Sequence, residues 1–202
     1  MPSVLLTAFE PYGPWPANAS WLCLQELTRE LPTVPALTTR LYPVDFAKVR
    51  ERLASDLEAG FDYALHLGQD PGSTHVQLEM FGLNIGGERT ESPAAFQPLE
   101  AAGPAAYHSA LPLFSWAAKL QQSGIPARVS FHAGTYLCNA TLYWNHCFCE
   151  RLGRPTRAAF IHLPLETSQA AAESRPMPSL PATVTAAAVR IMLSELAGPE
   201  PV

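Results

Sequence analysis

Short runs of apolar and β-branched residues alternate along this chain with longer stretches in which apolar residues recur every three or four positions. The short runs are typical of buried strands, and the longer stretches indicate amphipathic helices. Strands are predicted at residues 4–9, 38–44, 63–68, 75–85, 128–133 and 158–165. Helices are predicted from Asn18 to about 31, after Asp45, and at 111–123, 139–152 and 181–196. This alternation predicts an α/β fold with a mainly parallel sheet and helices on both of its faces.

One connection is unusually long. Residues 86–107 are rich in proline and alanine and carry no clear periodicity. Long loops in compact domains are usually either functional or disordered, and we favour the functional interpretation. We therefore expect a lid over a site or a contact with another subunit.

Length and charge narrow the function classes. The chain has 202 residues, 48% of them hydrophobic, and we expect one domain over residues 1–202. A net charge of -5 without a cluster of lysine and arginine argues against a nucleic-acid partner. No apolar run is long enough to span a bilayer and no secretory signal is evident, so we expect a cytoplasmic protein without a membrane partner. In that compartment the four cysteines would be thiols.

Cys138 is the strongest candidate for a nucleophile. It follows a predicted strand and a small turn, and it comes at the start of a predicted helix. Free N–H groups and the positive end of the helix dipole stabilise a thiolate there, and they can also bind an oxyanion. The alternative is that Cys138 is a small buried apolar residue, as most cysteines are.

A cysteine nucleophile needs a base and a group that orients it. His162 lies where a predicted strand ends, whereas His66 and His132 are placed as buried core or interface histidines. Glu79 is an acid inside an apolar strand-like segment, where burial without a partner is costly. Its alternative is an outward side chain on an edge strand, and Glu10 competes for the same role.

These segments together resemble the pyroglutamyl-peptidase I family, also called pyrrolidone-carboxylate peptidases. The resemblance runs over nearly the whole chain. It rests on three ordered signatures, together with the N-terminal segment LLTAFEPYGPWPANAS: GQDPGSTHVQLEMFGLNI, GIPARVSFHAGTYLCN and FIHLP. It implies a three-layer α/β/α sandwich of the phosphorylase/hydrolase-like kind, a homotetramer, pyroglutamyl peptides as substrates, and no cofactor or metal.

The resemblance also implies site residues. The catalytic residues would be Glu79, Cys138 and His162, and Arg89 is a candidate for supporting the oxyanion. A pocket for the pyroglutamyl ring would be lined by Phe9, Tyr12, Val44, Gln69, Thr90, Tyr136 and Leu137. A small neutral ring suits such apolar and aromatic walls.

Some positions depart from the family pattern. Met80 stands where a basic residue is usual, Gly82 where alanine is common, and Gly86-Gly87-Glu88 where aspartates occur. Tyr12 replaces phenylalanine, and Thr90 replaces an aliphatic residue. They motivate one alternative, a protein that binds pyroglutamyl peptides without cleaving them. A second alternative, another hydrolase or a nucleoside phosphorylase on a similar sheet, is open because fold does not fix function.

Overall fold

The computed structural model describes residues 1–87, 92 and 95–198. The strands are β1 Ser3–Phe9, β2 Ala36–Tyr42, β3 Tyr63–Gln69, β4 Val76–Glu79, β5 Phe81–Leu83, β6 Ala106–His108, β7 Ala127–Ser130 and β8 Arg157–Leu163. The helices are α1 Ala19–Thr28, α2 Phe46–Glu58, α3 Leu113–Gln122, α4 Leu137–Arg151, α5 Thr167–Ala171 and α6 Ala182–Leu196. In the described part of the chain, no helix has the length and apolar character needed to cross a membrane.

The main sheet has six strands in the order β2-β1-β3-β8-β4-β7. Strands β2, β1, β3 and β8 are mutually parallel. Strand β4 is antiparallel to β8 and parallel to β7, so β4 and β7 run in the opposite direction. The prediction of a mainly parallel sheet is confirmed, but the alternation of elements did not indicate the reversed pair.

Two apolar clusters cover the two faces of this sheet. One cluster joins α1, α3 and α6 to alternate strand residues such as Leu6, Leu65 and Ile161. The other joins α2 and α4 to the intervening residues, among them Ala64 and Phe160. Because successive side chains of a strand point to opposite faces, each strand contributes to both layers. The α/β/α sandwich is therefore confirmed.

Two helix starts follow the sequence signals. The side chain of Asn18 accepts a hydrogen bond from Ser20 N–H, and that of Asp45 accepts one from Lys48 N–H. Each satisfies a donor that the helix ladder leaves free. Helix α5 was not predicted; it begins at a capping box formed by Glu166 and Gln169.

The prediction of one strand over residues 75–85 is wrong. The chain leaves the main sheet at Met80, and β5 pairs instead with β6 in a two-stranded sheet. Strand β5 packs closely against α4. At Gly82, an added Cβ would lie 2.6 Å from the backbone nitrogen of Tyr143, so glycine permits this close approach.

The segment 86–107 is not a loop throughout. It contains β6 near its end and a bridge between Gly86 and Gln97. Its role as a lid or subunit contact stays a prediction. The strand predicted at 128–133 ends earlier, at Ser130.

Candidate active site

Cys138 lies in the first turn of α4. The first backbone hydrogen bond of the helix runs from Ala140 N–H to Tyr136 O. The N–H groups of Leu137, Cys138 and Asn139 therefore precede the helical ladder, as at any helix N-terminus. The half-buried thiol thus lies where the sequence placed it, beside free donors and the positive end of the helix dipole.

The sulfur of Cys138 lies over Gly68, in the carboxyl half of β3. A Cβ added at Gly68 would lie 3.1 Å from that sulfur and 2.5 Å from two ring atoms of Phe160. No side chain fits here without moving the thiol or the aromatic ring under it. The absence of a Cβ at residue 68 therefore helps set the depth of the Cys138 sulfur.

His162 lies near the end of β8, directly across from Gly68 in register. Its Nδ1 is 2.7 Å from Oε1 of Glu79, and the ring lies close enough to Cys138 for the charge of the sulfur to act on it. Burial alone would lower the pKa of His162. The charge of Cys138, with the interactions of the ring with Cys138 and with the acceptor Glu79, outweighs burial and raises that pKa well above its ordinary value. The arrangement stabilises the imidazolium form of His162.

Glu79 reaches the imidazole from inside the sheet. Because β4 runs against β8, the end of β4 lies opposite Phe160, one pleat deeper than His162. The carboxylate is 1% exposed, and its Oε2 has no hydrogen-bond partner among the described residues. Its rival, Glu10, is exposed. The alternative of an outward side chain for Glu79 is wrong.

A cleft of about 1080 Å³ opens above these three residues. Its lining includes the six residues expected around the pyroglutamyl ring that the structure describes: Phe9, Tyr12, Val44, Gln69, Tyr136 and Leu137. The other two expected residues, Thr90 and Arg89, lie outside the described residues.

Comparison with known proteins agrees with this geometry. A sequence model of the family described as pyroglutamyl peptidase matches residues 2–197. The chain belongs to the pyroglutamyl peptidase family.

Relatives cover almost the full length of this family member. The pyrrolidone-carboxylate peptidase of Clavibacter michiganensis is 37% identical over 202 residues, which covers 96% of this chain and 94% of that protein. The crystal structure of pyrrolidone carboxyl peptidase from Fervidobacterium islandicum AW-1 has a TM-score of 0.90 at 31% identity, covering 97% of this chain and 98% of the other. That of pyroglutamyl peptidase I from Bacillus amyloliquefaciens has a TM-score of 0.86 at 28% identity, covering 98% and 96%.

The departures from the pyroglutamyl peptidase pattern have local explanations. Met80 packs against the apolar cluster on the far face of the sheet, away from Cys138. The Tyr12 hydroxyl donates to the backbone oxygen of Gln69 at 3.3 Å, so the extra group ties the loop after β1 to the end of β3. At Gly86 and Gly87, the side chains of Leu99 and Phe96 fill the space that a Cβ would take.

Two features of this peptidase site were missed in the sequence. Asn139, next to Cys138, is fully buried, and its side chain binds the backbone of β5. A polar side chain in an apolar helix start was the available signal. The histidine prediction was half right: His66 is fully buried, but His132 is exposed at the cleft.

Proposed function

We propose that this chain is a cysteine peptidase that hydrolyses the amide bond after an N-terminal pyroglutamyl residue and releases 5-oxoproline. The observation that carries the proposal is the hydrogen bond between His162 and Glu79 in a cleft that Cys138 also lines, with the charge of Cys138 acting on the His162 ring. Family membership over residues 2–197 supports the substrate.

The cleft wall suits the pyroglutamyl ring. Phe9 and Leu137 are almost completely buried and present apolar surface, and Val44 and Tyr136 complete that wall. A lactam is neutral, so it needs no charged partner, only apolar walls and a few hydrogen bonds that fix its orientation. Thr90 is proposed as a further wall residue by the family pattern alone.

The reaction proceeds in two steps. The Cys138 thiolate attacks the pyroglutamyl carbonyl, and the resulting oxyanion is bound by N–H groups at the start of α4, with Arg89 as a proposed additional donor. The His162 imidazolium gives its proton to the leaving amine as the C–N bond breaks. Neutral His162 then takes a proton from water, which attacks the thioester and releases 5-oxoproline and the thiolate. Glu79 holds the ring orientation and stabilises its charged form throughout.

The test is a substitution series at the cysteines. Cys138→Ala should reduce turnover of a pyroglutamyl chromogenic amide by at least about 10³-fold. Cys23→Ala, on the opposite face of the sheet, should retain turnover and remain sensitive to a thiol alkylator. Turnover that survives Cys138→Ala would contradict the assignment. If the wild type binds pyroglutamyl peptides without any cleavage, the binding-only alternative is correct.

We also propose that the enzyme assembles as a homo-oligomer, a tetramer by the family pattern. An exposed aromatic patch supports assembly: Phe114 and Phe131 are 64% and 59% exposed, and Phe131 packs on Phe81. Large exposed apolar patches commonly mark protein contacts. Light scattering should give an oligomer, and a Phe114→Ser, Phe131→Ser double variant should dissociate if this patch is the contact. The four free thiols fit the expected cytoplasmic location, which cell fractionation would check.

A further inference from the structure

A row of residues in register crosses the main sheet under the cleft. Gly68 on β3 pairs with His162 on β8, His162 pairs with Gln77 on β4, and Gln77 pairs with Arg128 on β7. Neighbouring strands lie about 4.8 Å apart, and residues directly opposite one another share a face of the sheet. Along this row, His162, Gln77 and Arg128 therefore lie at increasing distance from Cys138 on the cleft floor.

The row also gives the cleft a direction. Three residues of the expected pyroglutamyl pocket, Phe9, Tyr12 and Val44, lie in or after β1 and β2, on the side of Cys138 away from β8. His162, which protonates the leaving amine in the proposed reaction, lies on the other side. The part of the substrate that leaves must therefore extend over β4 and β7.

The cleft wall over β4 and β7 is polar and ordered. Gln77 is 7% exposed, and its Nε2 donates to Asp70 Oδ2 at 2.6 Å. Its Oε1 accepts from Nε and Nη2 of Arg128, at 3.1 and 2.7 Å. Nearby, His132 Nδ1 accepts from Gly134 N–H at 3.0 Å, so a proton on this ring lies on Nε2. All of these residues line the cleft.

The two charged side chains of this wall, Asp70 and Arg128, differ in the partners that they bind. The Asp70 carboxylate accepts hydrogen bonds from Gln77 and from Gly72 N–H. The Arg128 guanidinium binds only a neutral amide, and among the described residues no carboxylate lies within 4.0 Å of it. Gln77 fixes the guanidinium plane through two of its N–H groups, which leaves the other donors for a ligand in the cleft.

We propose that this wall is a subsite for the leaving peptide, in which Arg128 binds the α-carboxylate of short pyroglutamyl peptides. The proposal rests on the proposed function. Arg128 is two strands, roughly 10 Å, from His162, and its guanidinium leans back over Gln77. An extended peptide advances about 3.4 Å per residue, so the carboxylate of the first or second residue after the cleaved bond falls within reach. Pyroglutamyl dipeptides and tripeptides are the preferred substrate class.

The experiment compares acids with amides. Pyroglutamyl-alanine and pyroglutamyl-alanyl-alanine are assayed beside their C-terminal carboxamides, with the wild type and Arg128→Gln. The wild type should favour at least one acid over its amide by about tenfold in kcat/KM, mainly through KM, because a charge-assisted hydrogen bond is lost in the amide. In Arg128→Gln this ratio should fall to about one, mainly because kcat/KM for the acids falls. Arg29→Gln, at the exposed residue that directly follows α1, is the matched control.

The outcomes separate the two proposals. Equal kcat/KM for acids and amides in the wild type, or a preference that survives Arg128→Gln, overturns the subsite while leaving the peptidase assignment intact. If none of the four peptides is cleaved, the peptidase assignment itself is contradicted. Calorimetric binding of acids and amides to Cys138→Ala measures the same preference without turnover, and equal affinities there would also overturn the subsite.

Discussion

Asn139 holds Leu83 by two hydrogen bonds: its Oδ1 accepts from Leu83 N–H at 2.7 Å and its Nδ2 donates to Leu83 O at 2.9 Å. A third bond, from Nδ2 to Ile85 O, is also 2.9 Å long. The side-chain amide of Asn139 thus binds the backbone of β5 as a neighbouring strand would. It also fixes the first turn of α4, one residue after the nucleophile, to the small sheet.

Asn139→Ala should therefore lower both stability and activity. Three backbone groups, Leu83 N–H, Leu83 O and Ile85 O, lose their hydrogen bonds to the buried amide. We therefore expect a loss of about 2–4 kcal/mol in the free energy of unfolding. Urea unfolding measures this loss, and kcat should fall because the turn that carries Cys138 is released. Asn139→Asp, which retains the acceptor for Leu83 but not the donors, should also be destabilised. A neutral effect of Asn139→Ala would show that the amide does not hold β5.

Gly68→Ala should impair catalysis more than folding. The new methyl group must displace the Cys138 sulfur, the Phe160 ring, or both. We expect kcat to fall by about tenfold or more, since small misplacements of reacting atoms are costly. Gly72→Ala is the matched control, because it lines the same cleft and its Cβ would meet only Asp70 Oδ1, at 4.0 Å. Equal kcat values for the two variants would contradict the role of Gly68.

Glu79→Gln tests the orienting acid. It preserves volume but removes the charge that helps to raise the pKa of His162. With that pKa lowered, the imidazolium loses its proton at a lower pH, so the alkaline limb of the kcat/KM profile should move to lower pH. We expect kcat/KM near neutral pH to fall by about 10²-fold. Glu10→Gln changes the competing acid, and an equal loss there would count against Glu79.

Acidification should destabilise the fold through His66. Its Nε2–H donates to Asn145 Oδ1 at 3.1 Å, and its Nδ1 accepts from the Thr7 hydroxyl at 2.8 Å, which fits a neutral ring. Burial lowers the pKa of His66 to about 4, against the hydrogen bond that His66 donates to Asn145, which raises it. Between about pH 6.5 and 4 the unfolded chain binds a proton that the folded chain does not, so stability falls as pH falls.

Urea unfolding between pH 7.5 and 4.5 measures this slope. One histidine contributes at most about 1.4 kcal/mol per pH unit in that window. The slope should be shallower in His66→Gln than in the wild type. His108→Gln, at an exposed histidine, should change the slope less than His66→Gln does. Identical slopes in all three proteins would exclude His66 as a source of acid sensitivity.

Features encoded within a few neighbouring residues could be predicted from the sequence. The caps at Asn18 and Asp45 are such features, and so is the position of Cys138 at a helix start. The contact of Glu79 with His162 could be placed only through family resemblance, because it depends on β4 running against β8. The role of Asn139 depends on Leu83, which lies 56 residues earlier in the chain. Such pairings are set by how the sheets assemble, and local periodicity does not record them.

Strand β4 carries Gln77 and Glu79 on the same face, two residues apart, with opposite surroundings. Glu79 lies beneath His162 and away from solvent, while Gln77 faces the open cleft and Arg128. The acid that supports the chemistry is therefore physically separate from the wall that meets the departing chain. Evolution or an engineer can exchange residues at the outer end of β4 and on β7 to change which peptides are accepted, while the bond-breaking apparatus is left as it is.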